Sequence, residues 1–249
     1  MLVVKDGNGK VVNTVKGTNK KGFNRVSWNL RYPNKGGERL QTPRGRRGFG
    51  GGGAMVTPGK YTVSLVKQFE GKQTLLQGPE SFEVVPLFDG TLERKSYKEM
   101  DTFREATDAF QQDLTATNIV LTRSQQKVDA MLRALNKATS PSNGLYARLR
   151  ETKNTLLDID KELNGNPIKD ETGERSNPTA SDGGSLRRFL GNTYGPTEEH
   201  QALLSRVKSQ LSKVKAKLQP IVDTTLPSIE NELKQAGAPW IEGQGLIKN

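Results

Sequence analysis

Alternating apolar and polar residues predict short β-strands in the first third of the chain. Two runs show the two-residue period of a half-buried strand, and their apolar members are Val26, Trp28 and Leu30, then Tyr61, Val63 and Leu65. Shorter apolar runs lie at residues 2–4, 11–15, 73–76 and 81–85, and Asp-Gly, Asn-Gly and other glycine turns separate the runs. About six such strands are typical of an immunoglobulin-like (Ig-like) β-sandwich. We predict this fold for residues 1–88, with Trp28 in its core.

Beyond residue 95 the apolar period changes to that of helices. Ser96 and Glu99 form a capping box, in which each side chain accepts a bond from the other residue's backbone N–H. The residues that follow form a heptad seam, in which successive members are alternately three and four positions apart. They are Met100, Phe103, Thr107, Phe110, Leu114, Thr117, Leu121, Ser124, Val128, Met131 and Leu135. A seam of this length predicts a helix over about residues 96–138 that packs in a bundle or coiled coil.

Two further helices complete the predicted second domain. The first covers about residues 144–164 and stops at Gly165-Asn166-Pro167. The second covers about residues 196–236, with kinks expected at Pro220 and Pro227 inside its apolar pattern. We therefore predict an antiparallel three-helix bundle over residues 95–240, with a tail at 241–249. The predicted fold class is α+β and multidomain, with an Ig-like β-sandwich before the bundle.

The net charge of +11 is concentrated in the first domain. Residues 1–90 hold 15 Lys and Arg against 6 Asp and Glu, whereas residues 91–249 hold 23 against 21. No apolar run approaches the roughly 18 residues of a membrane span, and the N-terminus lacks a signal-peptide pattern. The absence of cysteine excludes disulfides and thiolate chemistry, and His200 as the single histidine excludes sites that need two imidazoles.

A Gly/Arg-rich loop at residues 36–57 carries the densest positive charge. Arg44, Arg46 and Arg47 stand among glycines beside Phe49. In one interpretation these residues bind a nucleic acid or another polyanion, with arginine on phosphate and Phe49 stacked on a base. In the other, which we favour, the loop is a solvated and flexible insertion between two strands.

The inventory of catalytic and metal-binding patterns is empty. No P-loop, dinucleotide fingerprint or nucleophile elbow occurs. Five acidic residues are considered for glycoside hydrolysis, which needs two carboxylates in one cleft. Glu198 and Glu199 are adjacent in the first turn of a helix, and Asp158, Asp160 and Glu162 follow a helix at steps of two, so neither set converges. The sequence thus predicts no catalytic residue, no metal site and no cofactor.

Several strings resemble one known family. They are K-D-G-N-G-K-V-V at residues 5–12, G-F-N-R-V-S-W-N-L-R-Y-P at 22–33, T-P-G-K-Y-T-V at 57–63 and G-P-T-E-E-H-Q at 195–201, continuing through Leu226-Pro227-Ser228-Ile229 to Ala236-Gly237-Ala238-Pro239-Trp240. The chain is similar to the C-terminal region of exported bacterial proteins with sortilin-type, neuraminidase-repeat β-propellers, which are often labelled glycosyl hydrolases. That region combines a hook-capping-type Ig-like domain with a helical tail. The Ser-x-Asp-x-Gly-x-Thr-Trp propeller box is absent, so no hydrolase residue can be assigned here.

The resemblance implies a non-catalytic accessory module of a larger exported protein. Its expected partner is a protein, either the parent's own propeller or another exported protein, and the chain is expected to be the C-terminal part of a longer parent or a separately encoded remnant of one. Two alternatives stay open, namely nucleic-acid or polyanion binding through the Gly/Arg-rich loop, and membership of a glycoside hydrolase whose active site lies outside this chain. The sequence indicates no particular oligomeric state.

Overall fold

The protein is an α+β chain, in which a four-stranded antiparallel sheet precedes a series of helices. A computed structural model describes residues 1–33, 40, 53–87, 93–140, 142–174, 179–190 and 194–246. The chain forms two compact units, one of Met1–Ala109 with Ser185–Gln201 and the other of Phe110–Gly184 with Ala202–Asn249. The last strand ends at Val84 and the first helix begins at Tyr97, so the change from strand to helix falls where the two predicted domains meet.

The sheet belongs to the first unit and contains strands β1 (Leu2–Asp6), β2 (Val11–Val15), β3 (Gly59–Phe69) and β4 (Lys72–Val84). Its strand order is β2-β1-β3-β4, and all neighbours are antiparallel. The predicted turn between β1 and β2 is confirmed, since Asp6 Oδ1 accepts bonds from the backbone N–H groups of Asn8 and Lys10, each at 2.9 Å. This side-chain acceptor stabilises the hairpin locally. The described residues contain no second sheet.

The separation of residues 73–76 and 81–85 into two strands is wrong. Both segments belong to β4, although Gly78 and Pro79 normally interrupt a strand. The pairing of β4 with β3 shifts register on both sides of Leu65, and these irregularities absorb the extra residues. Gly78 is required there, because its φ is +98° and a Cβ atom would lie 2.8 Å from the carbonyl oxygen of Val63.

The prediction of a strand at residues 23–30 is also wrong, although its burial pattern is correct. Val26, Trp28 and Leu30 are half-buried and their neighbours are exposed, but the segment joins no ladder. It turns at Leu30, whose φ is +54°. Side-chain packing holds the segment instead, since the Trp28 ring lies edge-on to Tyr61 and Phe82 at centroid distances of 6.0 and 6.3 Å.

The core of the first unit lies against one face of the sheet. Its buried members are Val4, Val12, Val56 and Tyr61, and the half-buried residues packed against them are Trp28, Leu30, Tyr32, Val63, Phe82 and Val84. These residues come from strands and from irregular chain. The core therefore combines a regular sheet face with side chains from segments that form no ladder.

Helix α1 (Tyr97–Leu135) follows the predicted heptad seam closely. Ten of its eleven seam residues are buried, and Met100 is half-buried. The polar seam residues Thr117 and Ser124 donate their hydroxyl hydrogens to backbone carbonyls one turn earlier in the helix, at 2.8 and 2.9 Å. Internal bonds of this kind allow a hydroxyl to be buried without an unpaired donor.

The capping box at the start of α1 is confirmed. The backbone N–H of Ser96 donates to Glu99 Oε2 at 2.9 Å, and the backbone N–H of Glu99 donates to Ser96 Oγ at 3.2 Å. The hydrogen bonds from the side chain and backbone of Ser96 lower the pKa of Glu99 from its ordinary value of 4.5. The bonds that Glu99 accepts from Ser96 are therefore strongest when Glu99 is ionised.

We predict that Ser96→Ala lowers the free energy of unfolding by about 1 kcal/mol at pH 7, because it removes the N-cap acceptor. The difference from wild type should shrink in acid, since the depressed pKa of Glu99 means that its contribution is lost as pH falls through the folded-state pKa. Urea denaturation at pH 7 and pH 3 measures both effects. Ser209→Ala, at an exposed serine within a helix, is the control. An equal loss in the control would contradict the prediction.

The remaining helices are α2 (Asn143–Asn164), α3 (Pro167–Glu171), α4 (Leu186–Phe189), α5 (Glu198–Pro220) and α6 (Leu226–Gln235). A 3₁₀ turn (Ala180–Ser185) precedes α4, and a π-helical turn (Ile221–Thr225) joins α5 to α6. The expected irregularity near Pro220 is this π turn, in which the N–H of Leu226 bonds to the carbonyl of Ile221. Pro220 lacks an N–H and favours such a local change of helical pitch.

The second unit buries one apolar face from each long helix. Leu149, Leu156 and Leu163 of α2 and Val207 of α5 are fully buried. Ion pairs cross between helices at the margins of this core, and they are Lys153–Asp129, Lys215–Asp113, Lys217–Glu162, Lys127–Glu230 and Arg148–Glu232. Exposed pairs add little stability individually. They do, however, give every pair among α1, α2 and the α5–α6 segment at least one complementary charge contact.

Candidate interaction surface

The site residues predicted in the Gly/Arg-rich loop, Arg44, Arg46, Arg47 and Phe49, lie outside the described residues. The two ends of this loop are described, and backbone hydrogen bonds join them. The N–H of Tyr32 donates to the carbonyl of Ala54 at 3.0 Å, and the N–H of Val56 donates to that of Leu30 at 2.9 Å. Residues 30–32 and 54–56 thus form a closed neck.

Gly53 allows the two sides of this neck to approach closely. A Cβ atom at this position would lie 3.0 Å from the carbonyl oxygens of both Tyr32 and Pro33. Arg31 Nη1 also donates to the Gly53 carbonyl at 3.1 Å. A larger residue would force these backbone segments apart.

A charged cluster holds the neck against the first turns of α1. We call it the Arg104 cluster, and its members are Tyr32, Thr57, Asp101, Arg104, Glu105 and Asp108. The guanidinium of Arg104 lies 3.7 Å from the ring centroid of Tyr32. Its Nε and Nη1 atoms lie 3.2 Å from Asp101 and 3.5 Å from Asp108. Asp101 also accepts a bond from Thr57 Oγ1 at 2.8 Å.

The charges and pKa values of the Arg104 cluster indicate a structural role instead of a catalytic one. Burial raises the pKa of the Tyr32 hydroxyl well above its ordinary value, and the Arg104 charge only partly opposes this shift. Burial likewise raises the pKa of Tyr61. Both phenols therefore stay protonated at neutral pH. Since the buried guanidinium already contacts carboxylates and a ring, it offers little capacity to an anionic ligand.

A small cleft of about 40 Å³ adjoins this cluster and is partly open to solvent. Its lining is mainly apolar, from Met55, Met100, Phe189 and Pro196, with Asp101 contributing a polar wall. A small ligand site usually combines an enclosed apolar cavity with a few converging polar groups. Thr57 and Arg104 also line the cleft, and both are already bonded to the Asp101 carboxylate. The polar groups of the cleft are therefore engaged with one another instead of converging on the open space.

Exposed apolar side chains concentrate on the β3–β4 hairpin. We call Leu65, Phe69, Leu75 and Leu76 the hairpin surface, and these side chains are 40% to 62% exposed. The ladder between β1 and β3 ends at the pair Leu2–Leu65, and Met1 still exchanges two backbone hydrogen bonds with Val66. Beyond Val66, β3 and β4 continue as a two-stranded ribbon. Leu75 and Leu76 are consecutive in β4, so their side chains lie on opposite faces of the ribbon. Exposed apolar side chains grouped in this way commonly mark protein interaction sites.

Strand β4 is also an edge of the sheet, with its outer side unpaired among the described residues. Its two pairing irregularities and Pro79 interrupt the regular row of backbone donors and acceptors. Such features prevent another strand from continuing the sheet. Contacts at this hairpin would therefore depend on side chains rather than on an added strand.

The acidic residues weighed in the sequence have separate local roles. Glu198 and Glu199 lie in the first turn of α5, as expected. Asp158 pairs with Lys161, Asp160 accepts a bond from Gln125, and Glu162 pairs with Lys217. Within the described residues, no group of three His, Asp or Glu side chains could hold a metal ion.

His200 caps the beginning of α5. Its Nδ1 atom accepts a bond from the backbone N–H of Thr197 at 3.2 Å, and Thr197 Oγ1 accepts one from the N–H of His200 at 3.3 Å. The ring packs on Phe189 at a centroid distance of 4.0 Å. The single histidine is therefore part of a helix cap.

Two features escaped the interpretation of the sequence. The Arg104 cluster could have been suspected, because Asp101, Arg104 and Asp108 share one face of a helix at spacings of three and four. The hairpin surface had only a weak signal, the adjacent pair Leu75-Leu76, which reads equally well as part of a buried strand.

Comparison with known proteins finds no relative. No family model, no curated protein and no solved structure matches the chain. In the described part, no helix is long and apolar enough to cross a membrane.

Proposed function

We propose that the chain is a non-catalytic accessory module of a larger exported bacterial β-propeller protein, and that it binds a protein partner through the hairpin surface. In this proposal the sheet unit belongs to the Ig-like β-sandwich class and the long helices form an antiparallel three-helix bundle. The family resemblance of residues 5–12, 22–33 and 57–63 supports the assignment. The partner is the propeller of the parent or another exported protein.

The hairpin surface is the observation that carries this proposal. Phe69, Leu75 and Leu76 are 54% to 62% exposed, and a partner that enclosed both faces of the ribbon would remove this remaining apolar area from water. The gain is about 25 cal/mol for each Å² of apolar surface buried. The Arg104 cluster supports the same view, because the one buried arginine among the described residues contacts carboxylates of α1 and the ring of Tyr32. It ties the sheet unit together instead of receiving a substrate.

The test replaces Phe69 by Ser and both Leu75 and Leu76 by Thr, which keeps strand propensity at the leucine positions. Calorimetric titration with a recombinant neuraminidase-repeat β-propeller measures the affinity. We expect the variant to bind at least about tenfold more weakly than wild type, because a few buried residues carry most of an interface's energy. The heat-capacity change of binding should also become less negative.

The control variant replaces Val11 and Leu157, which are 54% and 42% exposed, by Thr. It should bind as wild type does. Equal weakening in both variants would contradict a role for the hairpin surface. Glycoside hydrolysis by the purified chain that disappears when single carboxylates are replaced would contradict the non-catalytic assignment itself.

A further inference from the structure

A second concentration of positive charge lies in the described part of the first unit. Residues 1–33 contain seven basic residues and a single acidic one, Asp6. Four of the basic residues occur within ten positions, and they are Lys16, Lys20, Lys21 and Arg25. We call residues 16–25, which read K-G-T-N-K-K-G-F-N-R, the basic turn.

Local hydrogen bonds shape the basic turn. The side-chain amide of Asn24 donates to the carbonyls of Lys20 and Gly22 at 2.8 and 2.9 Å. The backbone N–H of Lys20 donates to Thr18 Oγ1 at 2.9 Å. Gly22 has a φ of +104°, which few other residues adopt. The turn is thus a defined structure, and its basic side chains extend from a bonded backbone.

The side chains of the basic turn are available to a ligand. Lys16, Lys20, Lys21 and Arg25 are exposed, and none forms an ion pair with a carboxylate of the described residues. Lys10, by contrast, is paired with Glu105. Phe23 lies between Lys21 and Arg25 in sequence, and its side chain is fully exposed to solvent.

We propose that the basic turn binds single-stranded nucleic acid. The four cations contact phosphates, and the Phe23 ring stacks on an unpaired base, which is the usual combination in such sites. A paired duplex hides its base faces and would leave Phe23 without a role. A bilayer surface would require a broader apolar face, and Phe23 is the one large apolar side chain of the turn. This site is separate from the hairpin surface.

The first experiment measures the binding of a labelled 12-nucleotide oligo-dT and of oligo-U by fluorescence anisotropy at several salt concentrations. Four phosphate contacts predict a slope of about −2.8 in a plot of log K against log salt concentration, and the association constant should fall about 50-fold between 50 and 200 mM salt. A 12-base-pair duplex should bind more weakly than either single strand at equal salt.

Three variants separate charge from stacking. Lys20→Ala, Lys21→Ala and Arg25→Ala together should reduce the slope to about −0.7, since one cation remains. Phe23→Ala should weaken binding about tenfold with the slope unchanged, and Phe23→Tyr should restore the affinity. The matched control changes Arg44, Arg46 and Arg47 to Ala, which removes the same number of charges, and should stay within about threefold of wild type.

Specific outcomes would overturn the proposal. Equal weakening by both triple variants would mean that binding follows net charge alone, and weakening by the loop variant alone would place it in the Gly/Arg-rich loop. An unchanged affinity of Phe23→Ala would exclude base stacking. Tight Phe23-dependent binding to phosphatidylserine vesicles, without binding to the oligonucleotides, would make the turn a membrane contact. Far-UV circular dichroism of each variant verifies that all compared proteins are folded.

Discussion

Replacing Leu156 by alanine should lower the free energy of unfolding by about 2–5 kcal/mol, because it removes three carbon atoms from a closed core and leaves a cavity. The Leu156 side chain has no solvent exposure, and it lies on the buried face of α2 together with Leu149 and Ile159. Total stabilities are typically only about 5–15 kcal/mol, so this single change removes a large share.

The neighbouring residue provides a matched control. Leu157 is 42% exposed on the same helix, and Leu157→Ala should change the stability by no more than about 0.5 kcal/mol. Urea denaturation followed by circular dichroism at 222 nm compares the two variants under the same conditions. Similar losses at both positions would mean that α2 does not bury the face that contains Leu156.

Replacing Arg104 by methionine should lower the free energy of unfolding by about 3–5 kcal/mol. Methionine keeps a long apolar stem but removes the charge, which leaves Asp108 without its cation in a partly buried position. The Arg104 side chain is 7% exposed and that of Asp108 is 13% exposed, so water can replace the lost contacts only in part.

Arg104→Lys should recover only part of this loss. Lysine restores the charge, but it cannot stack its head group flat on Tyr32 and contact Asp101 and Asp108 through separate nitrogens. Arg150→Met, at an exposed arginine of α2, serves as the control and should be nearly neutral. Thermal unfolding monitored by near-UV circular dichroism, which reports on Tyr32 and Trp28, distinguishes the variants. A neutral Arg104→Met would contradict the role assigned to the cluster.

Helical structure was largely predictable because its signals are local and repeat many times. The seam from Phe103 to Leu135 is buried as its spacing requires, and the Ser96–Glu99 cap forms between residues three apart. A helix forms its backbone hydrogen bonds within one segment, so the period of its apolar residues indicates the structure directly. The kink expected at Pro220 corresponds to the π turn that follows it.

Strands were predicted less well, because a strand forms its hydrogen bonds with a second strand, and the local pattern of residues does not indicate which segment that is. Residues 23–30 have the alternation of a strand and its burial, yet they belong to no strand of the sheet. Residues 72–84 contain Gly78-Pro79 and still form one strand, since the bulged pairing with β3 accommodates the interruption. Both outcomes depend on segments distant in the chain.

The sequence alone determined the change from a basic, strand-rich part to a nearly neutral helical part, the buried face of each long helix and the cap of α1. These properties depend on contacts between residues three to seven positions apart, which a sequence period records. Only the tertiary structure decided the pairing of the strands, the closed neck below the Gly/Arg-rich loop, the seating of Arg104 on Tyr32 and the exposure of the hairpin surface and of Phe23. Those features join residues tens of positions apart, or depend on what fails to cover a side chain, and no local pattern of polar and apolar residues carries that information.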